Sequence, residues 1–229
     1  MKPVCLVFGA GAGIGGTVAA KFAEEGYHSF LCRRSDQEGL DKLIGDIEAS
    51  GGSASGQLLN AIEEDAIEEV INKVESEVGP IEVVIYNLGA QTGMKLLSQT
   101  TYKEFEWGWK MASFGLFRVA KMLCPLMVER GKGTILVTSA TAAMRGNATQ
   151  HSHAAAMAAR RMLCQSLNAE FSSKGVHVAH IIVDGAVDAP DTLGKMLGPE
   201  MYQQLRETKG MELDGLLLHK EIEKNYYHL

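Results

Sequence analysis

Apolar runs of strand length alternate with segments of helical periodicity along most of the chain. Residues 4–8, Val-Cys-Leu-Val-Phe, are an unbroken β-branched and aromatic run, and beyond a glycine-rich stretch the apolar positions of 17–25 recur at helical spacing. The same reading predicts strands over 29–32, 57–59, 81–86, 134–138 and 176–183. It predicts helices over 40–49, 63–78, 102–130 and 152–174. The strand at 81–86 has a single polar position, as strands buried on both faces of a parallel sheet do. Strand and helix alternating with short connections imply an α/β fold, a doubly wound parallel sheet with right-handed crossovers. From Asp184 the pattern loosens: Gly185, Pro190, Gly194, Gly198 and Pro199 suit a substrate loop with short helices over 184–218, and 220–229 reads as a last helix. With no repeat or linker, residues 1–229 are expected to form one domain.

Composition changes this picture at a few points. Glycine, 25 of 229 residues, exceeds the usual ~7%, and five of those glycines lie between positions 9 and 16. A Met-Lys start before an uncharged run invites a secretory reading, but so many glycines make a poor helical signal and a poor membrane span. Charges of 22 basic against 28 acidic residues give a net −6 without a basic run, so neither nucleic acid nor a membrane is an expected partner. Cys5, Cys32, Cys124 and Cys164 form no CxxC pair and sit in apolar segments, which suits buried thiols in a reducing cytoplasm. Cys5 begins the first strand and Cys32 ends the second. About three residues or ~10 Å of strand separate them, too far for a disulfide.

Gly9-Ala10-Gly11-Ala12-Gly13-Ile14-Gly15 follows the first strand and opens the first helix. A glycine turn there lets backbone N–H groups approach a pyrophosphate, with the helix N-terminus adding positive dipole, so the sheet is expected to be a Rossmann-like dinucleotide binder. A carboxylate ending strand two would bind ribose hydroxyls and repel a 2′-phosphate. Here the chain has Cys32-Arg33-Arg34 instead, which favours NADP over NAD.

The Gly-x-x-x-Gly-x-Gly spacing resembles the short-chain dehydrogenase/reductase superfamily. Tyr86-Asn87-Leu88-Gly89 is similar to its Asn-Asn-Ala-Gly after strand four, Gly115-Leu116-Phe117 to the middle of its fifth helix, and Asp184-Gly185 to its Pro-Gly after strand six. The resemblance implies cofactor contacts from Gly9, Gly11, Ala12, Gly13, Ile14, Gly15, Asn87, Leu88, Gly89, Gly185 and Val187. Asn60 stands where that family has an aspartate touching adenine. It also implies hydride transfer between nicotinamide and a carbonyl or alcohol.

Catalysis is where the chain departs from that pattern. The family uses a serine after strand five, a tyrosine about a dozen residues later, a lysine one turn beyond, and an asparagine on the fifth helix. Ser139 matches the serine, but Ala112 falls at the asparagine and residues 150–157 contain neither tyrosine nor lysine. With one residue inserted in the loop, His153 takes the tyrosine's place and Met157 the lysine's; without it, Ser152 and Ala156 do. Histidine suits proton transfer because its ordinary pKa is ~6.5. Ser139 with His153 would be a hydroxyl–imidazole couple, although that segment offers no carboxylate to orient the ring. The leading expectation is therefore an NADP-preferring oxidoreductase with atypical proton transfer. The alternatives are a dinucleotide-binding regulatory or scaffold protein that has lost the chemistry, and an isomerase or lyase on the same scaffold.

Lesser expectations complete the reading. His151 and His153 make a His-x-His without a third ligand, so no metal is expected. Tyr86, at a strand end, is a candidate phenol donor to the crevice. Residues 91–97 with Met94, Met144, Met196 and Met201 are candidates for an apolar substrate wall. Helices 102–130 and 152–174, with the alanines of 154–159, resemble those through which the family forms homodimers or homotetramers. The chain stops where that family continues into a seventh strand. Either the sequence is shortened, or the sheet has six strands and an exposed edge open to a partner.

Overall fold

The computed structural model describes residues 2–89, 93–188, 193–211 and 216–218. Its main sheet has six parallel strands in the order β3-β2-β1-β4-β5-β6. These are β1 (Val4–Phe8), β2 (His28–Arg33), β3 (Ser53–Leu58), β4 (Ile81–Tyr86), β5 (Gly133–Ala140) and β6 (Val176–Val183). The helices between them are α1 (Ile14–Glu24), α2 (Gln37–Ala49), α3 (Ala66–Lys73), α4 (Tyr102–Trp109), α5 (Gly115–Arg130) and α6 (His151–Phe171). Beyond the sheet, β7 (Ala186–Asp188) pairs in parallel with β8 (Leu216–Leu218), and the short helices α7 (Lys195–Leu197) and α8 (Pro199–Met211) lie between them in sequence. The doubly wound reading therefore holds, with short helices in the loose segment as expected. The reading of 220–229 as a helix falls outside the described residues.

Period-two alternation builds a core on each face. Val4, Leu6 and Phe8 of β1 bury against α3, α5 and the end of α6, whereas Cys5 and Val7 bury against α1 and α2. Cys5 pairs with Ser29 and Phe8 with Cys32, so the two thiols stand three positions apart along the sheet, and all four cysteines are free and buried. Burial holds the Cys5 and Cys32 thiols well above their ordinary pKa.

Several boundaries differ from the sequence reading. β3 begins four residues earlier than predicted, because its serines and glycine pair with β2 at a polar sheet edge. β5 continues through Ser139 to Ala140, so Ser139 lies inside the strand rather than after it. The helix predicted over 102–130 is continuous but contains a π-turn, Lys110–Phe114, between α4 and α5. Among the described residues it is the one helix long and apolar enough to cross a membrane, and 61% of its most apolar stretch is buried inside the molecule.

Candidate cofactor site and reaction centre

The strand order reverses between β1 and β4, and their carboxyl ends open the crevice in which such sheets bind ligands. Leaving β1, the N–H groups of Gly9 and Ala10 donate to the Cys32 carbonyl at 2.9 and 3.0 Å. The Asn87 amide Nδ2 donates back to the Gly9 carbonyl at 3.1 Å, which fastens the end of β4 to the turn. Gly9 has φ +90°, and a Cβ there would stand 2.9 Å from the Asn87 carbonyl oxygen. At Gly15 a Cβ would overlap the Gly9 carbonyl. The turn is thus closed by backbone against backbone, while Gly11 faces open space.

Gly13 precedes α1, whose first turn has neither a side-chain cap nor an acidic residue. Its N-terminal N–H groups and dipole belong to the wall of a cavity of about 250 Å³ lined by Gly9, Gly11, Gly13, Ile14, Gly15, Asn87 and Val187. Gly185, with φ +144°, carries the chain from β6 to Val187. These residues fit the pyrophosphate of a dinucleotide: an open backbone face, a bare helix N-terminus and no carboxylate to repel an anion.

At the β2 side, Arg33 lines both neighbouring cavities, of about 410 and 490 Å³; Ala12 lines the first, and Arg34, Leu88 and Gly89 the second. Arg33 is not bare: its Nη2 donates to Asp36 at 2.8 Å. Asp36 is held at φ +74° and caps α2 by accepting from the Gly39 N–H at 3.0 Å. A side chain at position 39 would overlap both the carboxylate and the guanidinium. The Asn60 amide donates to Glu63 at 2.9 Å, and Asn60 is not among the residues lining these cavities.

Toward β5 the site becomes apolar. Ser139 is buried, and its hydroxyl donates to the Met157 thioether sulfur at 3.8 Å. Ala112 and Met157 pack with Ala142, Ala143 and Ala156 in one small cluster. His153, 6% exposed, lies in the first turn of α6, one helical turn before Met157. The neighbouring Ser152 hydroxyl points elsewhere, donating to the Glu104 carbonyl at 3.1 Å. Ser113 donates to the Ala156 carbonyl at 2.8 Å, which fixes the π-turn against α6. Loop residue Lys95 reaches the same helix start, its N–H donating to the Thr149 carbonyl at 2.9 Å.

Two side chains change the sequence reading. Tyr86 does not offer a phenol to the crevice: it is fully buried, and its hydroxyl donates to the Met111 carbonyl at 2.5 Å. Burial also drives its pKa far above the ordinary value. That hydroxyl occupies the space a Cβ at Gly115 would need, which explains the glycine of Gly115-Leu116-Phe117. The residue that sequence reasoning missed is Arg160 on α6, 1% exposed. Its Nε donates to the Ala112 carbonyl at 2.9 Å, Nη1 to Thr138 and Nη2 to Leu88, each at 2.6 Å. A signal for it existed, since positions 153, 156, 157, 160, 164 and 167 form one buried helical stripe. Of the methionine wall, Met94, Met144 and Met201 are exposed, and the Met196 side chain lies outside the described residues.

Comparison with known proteins bears on the whole of this arrangement. The family model for short chain dehydrogenase matches residues 3–194. A 3-oxoacyl-[acyl-carrier-protein] reductase of Thermotoga maritima is 29% identical over 191 residues, covering 82% of this chain and 76% of its own. The crystal structure of a short-chain dehydrogenase from Rhodopseudomonas palustris superposes with a TM-score of 0.75 at 34% identity, over 90% of this chain and 92% of that one. An actinorhodin polyketide ketoreductase with NADPH has a TM-score of 0.87 at 22% identity, over 100% and 90%, and so shares the fold.

Proposed function

The chain belongs to the short-chain dehydrogenase family of oxidoreductases, and on that premise we propose that it is an NADP-preferring enzyme acting on a small carbonyl or alcohol, with His153 in the proton-transfer role. The observation that carries this reading is the pairing of an intact glycine turn with Ser139 on β5, both at the carboxyl edge of one sheet. Gly9, Gly11, Gly13, Ile14 and Gly15 would hold the pyrophosphate, Arg33 and Arg34 a 2′-phosphate, and Asn87, Leu88, Gly89, Gly185 and Val187 the remainder. A nicotinamide held there would supply or take the hydride.

The chain's own residues have two tasks at the substrate. The Ser139 Oγ–H, resting on the weak acceptor sulfur of Met157, turns to the substrate oxygen and stabilises charge there. A ring nitrogen of His153 gives that oxygen its proton or takes it away. Support for His153 rather than Ser152 comes from α6 itself: Met157, four residues beyond His153, faces Ser139, while the Ser152 hydroxyl is bonded to the Glu104 carbonyl. The apolar cluster of Ala112, Ala142, Ala143, Ala156 and Met157 keeps water from the proton path. In this reading the protein works as a homodimer or homotetramer.

Titration with NADPH, followed by nicotinamide fluorescence, tests the site, and turnover of a carbonyl panel tests the chemistry. Ser139→Ala and His153→Ala are each expected to lower kcat/KM by at least about 100-fold with NADPH binding retained. Unchanged turnover in His153→Ala removes that residue from the mechanism. Tight NADPH binding without turnover of any carbonyl or alcohol would make the protein a binding module instead.

A further inference from the structure

We infer that Lys195, the first residue of α7, is a cofactor-specificity residue, supplying positive charge by which the cavity between the glycine turn and α2 distinguishes a 2′-phosphate from a ribose hydroxyl. The inference rests on the NADP reading above and extends it to a residue far from Arg33 in the chain.

The fold brings Lys195 to this cavity across most of the sheet. The segment that carries it follows β6, whereas Arg33 ends β2, four places away in the strand order. At ~4.8 Å per strand this is ~19 Å of carboxyl edge. Two described points mark the crossing: Val187 lines the glycine-turn cavity, and Lys195 lines the next one together with Gly11, Ala12 and Arg33. Local contacts fix the turn at Lys195. The Gly198 N–H donates to the Gly194 carbonyl at 2.9 Å, and the Tyr202 N–H to the Gly198 carbonyl at 3.0 Å. The Tyr202 ring lies over Gly194, where a Cβ would stand 3.2 Å from it.

The charges of the lining show what Lys195 adds. On the β2–α2 side two cations meet two carboxylates, Arg33 with Asp36 at 2.8 Å and Lys42 with Asp46 at 2.5 Å. That wall is neutral as a whole, so its net charge does not favour a phosphate over a hydroxyl. Lys195 is the third cation of the lining and leaves it with an excess of positive charge. Gly11 and Ala12 bring no charge to the remaining wall, and a Cβ at Gly11 would meet nothing within 4 Å, which leaves room for an anion. Lys195 is exposed, and its ammonium on a flexible stem acts on a phosphate as a point charge rather than as a fixed fork. An exposed pair of this kind changes affinity a few-fold, not by orders of magnitude.

Calorimetric titrations of wild type, Lys195→Met and Lys195→Arg with NADPH and with NADH test this, the readout being the ratio of the two dissociation constants. The two ligands differ only in the 2′-phosphate, so a general loss of stability weakens both and leaves the ratio unmoved. The expected result is a preference for NADPH reduced at least about threefold in Lys195→Met, with NADH affinity within about twofold of wild type, and a preference kept within about twofold in Lys195→Arg. An unchanged ratio in Lys195→Met, or equal weakening of both cofactors, overturns the assignment. A preference lost to the same extent in Lys195→Arg assigns the effect to the shape of the side chain rather than its charge, and also overturns it. Failure of the underlying reading shows in wild type alone: binding of neither cofactor defeats the dinucleotide site, and binding of both without preference defeats the NADP reading, and each takes the role of Lys195 with it.

Discussion

Arg33 and Asp36 form an ion pair that holds the guanidinium in place beside the cavities it lines. The carboxylate holds the guanidinium at 2.8 Å and the Gly39 N–H at 3.0 Å, two bonds that offset the cost of a non-glycine residue at φ +74°. A 2′-phosphate would compete for donors that are already aimed. Hydrogen bonds to charged groups contribute about 1.5–3 kcal/mol, so Arg33→Ala should weaken NADPH roughly 10- to 100-fold and NADH less than about threefold. Parallel titration of both cofactors checks this, and equal losses would place Arg33 outside the phosphate site. A second residue, His180 on β6, has a buried Nε2 with no hydrogen-bond partner among the described residues. Burial, then the charges of Arg160 and Arg161, hold its pKa down to about 4. The unfolded chain, with an ordinary value near ~6.5, binds this proton first. Stability is therefore lost as pH falls from about 6.5 to 4, and His180→Leu should flatten the urea midpoint across that window. An unchanged slope would show that the group titrates normally. Arg33 and the glycines were legible in the sequence because their chemistry is local. Asp36 went unread although its partners Arg33 and Gly39 are each three residues away, because its cap depends on a left-handed φ; Arg160 was hidden because only the fold brings its three carbonyl partners near.

The long helix from Tyr102 to Arg130 shows what element-level reading finds and what it misses. Its start was readable: Thr101 and Glu104 form a capping box, the threonine hydroxyl accepting from the Glu104 N–H at 3.2 Å and the glutamate from the Thr101 N–H at 3.0 Å. The Lys95 ammonium, paired to the same carboxylate, anchors the loop after β4. Lys95 first, and Thr101 next, hold the Glu104 carboxyl down to about 2. Because the folded value lies below the unfolded ~4.3, this stabilisation is complete above about pH 5 and disappears as pH falls toward 2. Glu104→Gln should thus lower the urea midpoint at pH 7, and the difference from wild type should shrink between pH 5 and 2. A gap that persists at pH 2 would assign the loss to shape rather than charge. The π-turn at Lys110–Phe114 left no mark on the apolar pattern, because one extra residue in a buried helix changes register without changing composition. β3 was half hidden for a different reason: at the sheet edge its residues need not be apolar. β5 was read as ending at Thr138 because Ser139 is polar, although the ladder with β6 continues through Ser139 to Ala140.

At the scale of the whole molecule, the outer face of the α4–α5 helix carries apolar surface that the fold itself does not cover. Phe105, Trp109, Phe114 and Phe117 are all exposed, and Met162 of α6 is exposed with them. Trp109 stacks on Phe114 with ring centroids 5.2 Å apart and 15° between planes, and Phe114 continues to Phe117 at 6.4 Å and 17°. Scattered apolar side chains need no explanation, whereas a stacked aromatic row marks a surface that gains by being covered. A two-fold axis beside this face would set the row against its own copy and bury it on both sides at once, as an isologous contact requires. Light scattering coupled to gel filtration should accordingly give twice or four times the chain mass for wild type. Phe117→Glu, which places a charge in the middle of the row, should shift the population to the monomer at micromolar concentration. NADPH binding should survive, since none of these rings lines the cavities formed by the glycine turn and Arg33. A wild-type monomer, or an unaltered oligomer in Phe117→Glu, would move the association to another face.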